Sequence, residues 1–420
     1  MDQNQPPDAK PELKAVVVGP GRTLFEYVEG VQVRRGLGDA APDLLVLPAS
    51  RPAKLDKVLK AAGRLPDWAW TPARTGAGWV VFDAACEGEP AQDGLIDDLH
   101  GLMSAIGAPL HHAVYITQDR QFEADYARVC VRRGITPGMA VLNDDYWIRR
   151  LLAEFETQGR QIFETRLEAY RARTATRARA FVSLNLTPRP TKLLFLLSLL
   201  RDGLWDRGFI SFGGLDRGLG KGKTPEERKA QLAGAAGFQD LALALEPNLA
   251  RLESVGEVLL GDGAGSRTSD GVPKLSEDAA LPEYGRTWFS VVTETEMRPR
   301  PSRVTEKPFK PLANFHPFLV LGNPGSLAFL RSLGFETFGE IFDEAYDEEP
   351  DPRRRFELVY GRVQRLCALT DAELGRLDQA VSRKVIHNAA HLFTRLPLSF
   401  GKAADARLVQ RLGERGVAPP

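Results

Sequence analysis

The sequence predicts an α/β fold built from two Rossmann-like domains with C-terminal helices. Three observations predict it. Short apolar runs alternate with helix-like stretches of about 10–15 residues, the signature of βαβ units on a parallel sheet. The alternation stops near residue 133 and resumes at residue 180, with a charged segment between. A length of 420 residues allows two or three domains at about 100–200 residues each.

In chain order, residues 1–12 are polar and proline-containing and read as a disordered tail. Strands are expected at 15–18, 43–47, 79–82 and 113–117, with helices at 54–63, 95–106 and 122–133 between them. Residues 146–172 carry Arg, Glu and Leu at helical spacing and read as one long connecting helix. This gives a first domain, residues 13–172, and a second, residues 173–420. In the second, strands are expected at 180–184, 209–212, 288–293 and 317–321. Helices are expected at 192–205, 305–314, 326–333, 351–366, 371–393 and 403–415. The Gly-, Ser-, Asp- and Pro-rich stretch 259–284 reads as a surface loop.

Composition narrows the function. Lys plus Arg and Asp plus Glu are both 55, so the formal net charge is zero and no nucleic-acid partner is expected. Cys86, Cys130 and Cys367 lie far apart with no CxxC, which argues against a disulfide framework and for a reducing compartment. The N-terminus lacks the basic and apolar regions of a signal peptide. The greasiest run, 193–200, is interrupted by Ser198, whereas a membrane span needs about 20 apolar residues. A cytoplasmic location without a transmembrane segment is expected.

Several motifs have plain readings. Gly19-Pro-Gly21 starts like a dinucleotide fingerprint, but Leu24 takes the third glycine's place, and a tight turn after an edge strand is preferred. Gly218 to Thr224 resembles a P-loop out of register by one residue, because Arg217 holds the place of its first glycine. It reads as a basic loop, with a P-loop phosphotransferase as the alternative. His387 and His391 are spaced i, i+4 without an evident third ligand, so helix packing or capping is preferred to zinc. No Asp-x-Asp occurs, which weakens metal-assisted phosphate chemistry, and no metal is expected.

The informative stretch is 287–335, read as strand, polar loop, helix, strand, turn and helix. Thr305 is expected to N-cap a helix opening Thr305-Glu306-Lys307, and a helix N-terminus with a lysine suits a diphosphate. Glu294 and Glu306 are acceptors for ribose or sugar hydroxyls. After the first strand of the second domain come Asn185, Arg189 and Lys192. An arginine fork and a lysine point charge at a sheet's carboxyl edge suit phosphate. In the first domain the strand Trp79–Phe82 runs into a loop with Asp83, Glu87 and Glu89. Glu87 is the candidate base and Asp83 the next.

The pattern F-x-V-V-x-E-x at 289–295, a polar stretch, Thr305-Glu306-Lys307, and an apolar strand ending in glycine resembles the donor-binding half of fucosyltransferase-like and exostosin-like glycosyltransferases. Thr293 and Thr295 stand where that family has Phe and Asn around its glutamate. The likeness covers about 50 residues well and extends more loosely to 181–214. It implies the GT-B arrangement, two Rossmann-like domains facing each other with the nucleotide sugar on the C-terminal one. It also implies a glutamate base in an N-domain loop, here matched by Glu87. The expected activity is a metal-independent, inverting transfer of a sugar from a nucleotide diphosphate to a hydroxyl on a glycan or protein. The nucleotide diphosphate sugar is then a donor substrate, with no separate cofactor. A non-catalytic nucleotide-sugar-binding or scaffold protein is the second alternative.

Overall fold

The computed structural model describes residues 13–19, 21–39, 41–49, 52–156, 158–173, 176–235, 237–260, 282–300, 303–398 and 403–413. The expected tail, residues 1–12, and most of the expected loop at 259–284 lie outside the described residues. The chain divides into two compact units, Met1–Ala153 with Leu398–Pro420, and Glu154–Pro397.

The first unit holds six parallel strands, β1 (Leu13–Val17), β2 (Val31–Arg35), β3 (Leu44–Pro48), β4 (Trp79–Ala84), β5 (Ala113–Thr117) and β6 (Ala140–Asn143). Their order is β2-β1-β3-β4-β5-β6, a doubly wound order whose switch point lies between β1 and β3. Successive residues of a strand face opposite sides, and here both sides are covered. Val16, Leu45, Val80, Phe82 and Tyr115 pack on one face, and Val17, Leu44, Val46, Val81 and Ile116 on the other. That two-sided cover is why these strands read as continuous apolar runs. Because β2 is the edge, β1 is interior, and the Gly19–Gly21 turn follows an inner strand instead of the edge strand expected.

One expectation about the connection is corrected. The helix expected over 146–172 is two helices, Tyr146–Glu156 and Gly159–Arg171. Gly159 sits where a Cβ would meet the Phe393 carbonyl oxygen at 2.3 Å, so the second helix packs against the π-helical segment His391–Arg395. The two compact units divide after Ala153, within the first of these helices. The last helix, Ala403–Gly413, belongs to the first unit, although residues 173–420 were expected to form one domain. Its Leu408 and Leu412 fill one face of the six-stranded sheet, and Trp79 Nε1 donates to the Leu412 carbonyl at 2.8 Å.

The second unit holds four parallel strands, β7 (Phe181–Asn185), β8 (Gly208–Phe212), β9 (Phe289–Thr293) and β10 (Phe318–Leu321), in the order β10-β9-β7-β8. This repeats the order of the first four strands of the other unit. The switch point falls between β7 and β9, and ligands of open α/β sheets bind outside the carboxyl ends of strands at such a point. No described helix is long and apolar enough to cross a membrane.

Candidate anion-binding site

At the β7/β9 switch point lies a cavity of about 190 Å³. Val182 and Leu184 of β7 and Ser290 to Thr293 of β9 form its wall, and Thr187, Lys192, Glu306, Lys307 and Lys310 bring polar groups to it. The apolar wall makes the amines and the carboxylate the groups able to recognise a polar ligand.

Lys192 is placed by the β7–helix connection. Pro188 and Pro190 stiffen the turn, and Pro190 opens the helix Pro190–Arg201 at a position that needs no N–H donor. Lys192 thus stands in the first turn, against the positive end of the helix. It is only 5% exposed, and among the described residues no hydrogen bond or ion pair engages its amine. Burial, reinforced by the nearby Lys307 charge, pushes its pKa down to about 7.

Lys307 is held quite differently. Its Nζ donates to Thr305 Oγ1 at 2.8 Å and lies 3.5 Å from Glu306 and 3.6 Å from Glu294. Burial works against the ammonium, but Glu306 and Glu294 outweigh it and hold the pKa above the ordinary lysine value. Burial likewise opposes the Glu306 carboxylate, yet Lys307 and Lys310 keep its pKa below the usual value.

Glu294 follows β9 and is 3% exposed. Its Oε1 accepts from the Thr305 N–H at 3.1 Å and its Oε2 from Thr305 Oγ1 at 2.7 Å. A Cβ on Gly322, just past β10, would lie 2.8 Å from Glu294 Cγ, so only glycine lets the two strand ends approach this closely. Arg355 fastens the same edge, donating to the carbonyls of Gly322 at 2.8 Å and Arg298 at 2.6 Å.

The sequence-predicted residues separate into two groups. Lys192, Glu306 and Lys307 reach one cavity, while Glu294 and Thr305 stand behind Lys307 and position it. The helix expected at 305–314 is reduced to Phe309–Ala313 with Pro308 at its N-cap. Thr305 does not cap it, because it lies three residues before that N-cap and its hydroxyl oxygen accepts from Lys307 while donating to Glu294. The expected diphosphate site at that helix start is therefore corrected to a site made by side chains. Asn185 is fully buried; its Nδ2 donates to Ser183 at 3.0 Å and its Oδ1 accepts from Thr293 at 2.7 Å, which ties β7 to β9 away from the lining. Arg189 is the exposed N-cap residue of the helix Pro190–Arg201 and does not line the cavity.

In the first unit, Asp83 is 1% exposed and accepts from the N–H groups of Leu24 at 2.8 Å and Ala85 at 3.0 Å. Burial pushes its pKa up to about 6 against those bonds. It anchors the loop after β1 to the end of β4 and is not open to an acceptor. Glu87 is half-buried beyond the end of β4, its carbonyl accepting from the Gln118 N–H at 3.3 Å.

Lys310, Thr187 and Tyr284 were not anticipated from sequence; only the i, i+3 spacing of Lys307 and Lys310 signalled any of them. At Gly218–Thr224 a short helix, Leu215–Leu219, ends, and Thr224 caps the next one in a capping box with Glu227. The threonine a P-loop would offer a metal is thus a helix cap here. His387 and His391 face the carbonyls of Gly334 and Leu333 at 3.2 and 2.7 Å, closing the end of the helix Ser326–Ser332.

Comparison of the chain with family models, with curated proteins and with solved structures gave no match.

Proposed function

We propose that the protein is a glycosyltransferase that moves a sugar from a nucleotide diphosphate to a hydroxyl of a glycan or protein acceptor, without a metal and with inversion. The observation that carries this reading is the gathering of Lys192, Lys307 and Lys310 around one cavity at the β7/β9 switch point. Three amines beside two strand ends form a seat for a departing diphosphate, where a transfer reaction needs positive charge. The cavity is smaller than the roughly 300–1,000 Å³ of pockets that enclose a whole drug-sized ligand. It is suited to the diphosphate, with nucleoside and sugar outside it. Glu87 is assigned the acceptor's proton, and Asp83 loses that candidacy to its structural bonds. The resemblance at 289–307 supports the same reading and the GT-B arrangement that goes with it.

A thermal-shift panel of nucleoside diphosphates and nucleotide sugars on the full chain, with EDTA in half the wells, tests it. Stabilisation by a diphosphate-bearing ligand that survives EDTA and is lost in Lys307→Ala is expected. No stabilisation by any of them refutes it.

A further inference from the structure

We propose that the Lys192 amine is a carbonyl-reactive nucleophile, and that its cavity captures small aldehydes or ketones bearing a phosphate or similar anionic group. The inference rests on reading the cavity as an anion site, and it adds a covalent step that the proposed transfer does not use.

A lysine attacks a carbonyl only through its uncharged amine, and the lone pair must be free of other partners. Lys192 meets both conditions by placement. It is 5% exposed, lines an accessible cavity, and is engaged by no hydrogen bond or ion pair among the described residues. Burial against the apolar wall of Val182, Leu184 and Val292, the first turn of its own helix, and the Lys307 charge all oppose an ammonium, and together they outweigh the pull of Glu294 and Glu306. The resulting pKa of about 7 leaves roughly half the amine neutral at that pH. Lys307, fastened to Thr305, Glu294 and Glu306, keeps its proton and serves the anionic end of the ligand.

The chemistry balances without a further reactant. The amine nitrogen forms a bond to the carbonyl carbon, and the carbonyl oxygen takes a proton to give a carbinolamine. Loss of that oxygen as water, with the second hydrogen of the amine, leaves the imine. Glu306 lines the same cavity as a carboxylate able to relay these protons.

The test uses the full chain with pyridoxal 5′-phosphate at neutral pH, followed by borohydride reduction and peptide mapping. One reduced adduct on Lys192 is expected, with labelling slowed by excess pyrophosphate. 5-Deoxypyridoxal, which lacks the phosphate and cannot close to an internal hemiacetal, should label about ten- to hundredfold more slowly, the value of one charge-assisted hydrogen bond. Lys192→Arg should abolish that adduct, and mapping on the unmodified sequence stands even if the variant does not fold. Adducts confined to other lysines overturn the proposal. If calorimetry shows pyrophosphate binding while Lys192 stays unlabelled, the covalent step alone falls. If 5-deoxypyridoxal and pyridoxal 5′-phosphate label Lys192 equally and pyrophosphate neither binds nor protects, the anion-site reading falls, and the proposed ligand class with it.

Discussion

Lys192 and Lys307 line one cavity in opposite electrostatic states. Lys307 is bonded to Thr305 at 2.8 Å and flanked by Glu294 and Glu306, whereas Lys192 has no partner among the described residues. Burying a cation without a direct partner is costly, so Lys192 gives up its proton far more readily than Lys307 does. A bound anion opposes that loss, and the cavity's affinity is thereby tied to pH.

The first prediction follows from this coupling. The groups facing Lys192 are Lys307, Lys310, Glu294, Glu306 and Tyr284. Below the pKa of about 7 the amine is already charged; above it, each anion bound draws in a proton. Affinity for a nucleoside diphosphate should fall as pH rises above 7, by at most about tenfold per unit. Dividing the wild-type dissociation constant by that of Lys192→Arg at each pH cancels the ligand's own titration. A flat ratio contradicts the prediction. For stability the sign is opposite. Between pH 7 and 10.5 the unfolded chain binds the extra proton, so this group makes stability rise with pH across that window.

Removing Lys307 should weaken anion binding without unfolding the unit. Lys307→Ala deletes one charge-assisted contact, worth about 1.5–3 kcal/mol of affinity. Calorimetry with a nucleoside diphosphate measures it, and unchanged affinity would remove Lys307 from the site.

Thr305 is expected to matter through Lys307. Thr305→Val keeps the shape but loses the hydroxyl that donates to Glu294 at 2.7 Å and accepts from Lys307 at 2.8 Å. Stability should fall by about 1–3 kcal/mol because a buried carboxylate oxygen loses a donor. Chemical denaturation and anion titration, done together, should both move; a change in affinity with none in stability would mean that Thr305 touches the ligand itself.

Asp83 and Glu87 should respond oppositely. Asp83→Ala leaves the N–H groups of Leu24 and Ala85 unpaired and should cost about 2–4 kcal/mol of stability. Glu87→Gln should leave stability near normal while sugar transfer drops by about two to four orders of magnitude. Near-wild-type transfer by Glu87→Gln would place the base elsewhere, with Glu89 next.

Ending the chain at residue 397 should destabilise the first unit. The lost helix carries Leu408 and Leu412 onto the six-stranded sheet, each worth about 1.5–3 kcal/mol on burial. A lowered melting temperature would report the loss, to which the Trp79 indole contributes by giving up the Leu412 carbonyl at 2.8 Å. An unchanged melting curve would count against that role.

The sequence by itself determined the α/β class, because central parallel strands are buried on both faces and must be apolar throughout, as at 44–48, 79–84 and 113–117. It did not reveal β2 or β6. Both are edges of the six-stranded sheet, and VQVRR and AVLN are correspondingly polar or only partly buried. Lys192 and Lys307 were legible because cations near strand ends are conspicuous, whereas Lys310 was not singled out. Their difference was not: whether Lys192 or Lys307 keeps a proton depends on which carboxylates fold beside it. Only the tertiary structure set Glu294 against Thr305, drew Asn185 and Asp83 into structural bonds, and sent the last helix back to the first unit. Those outcomes rest on contacts between residues distant along the chain, and no local pattern encodes their energies.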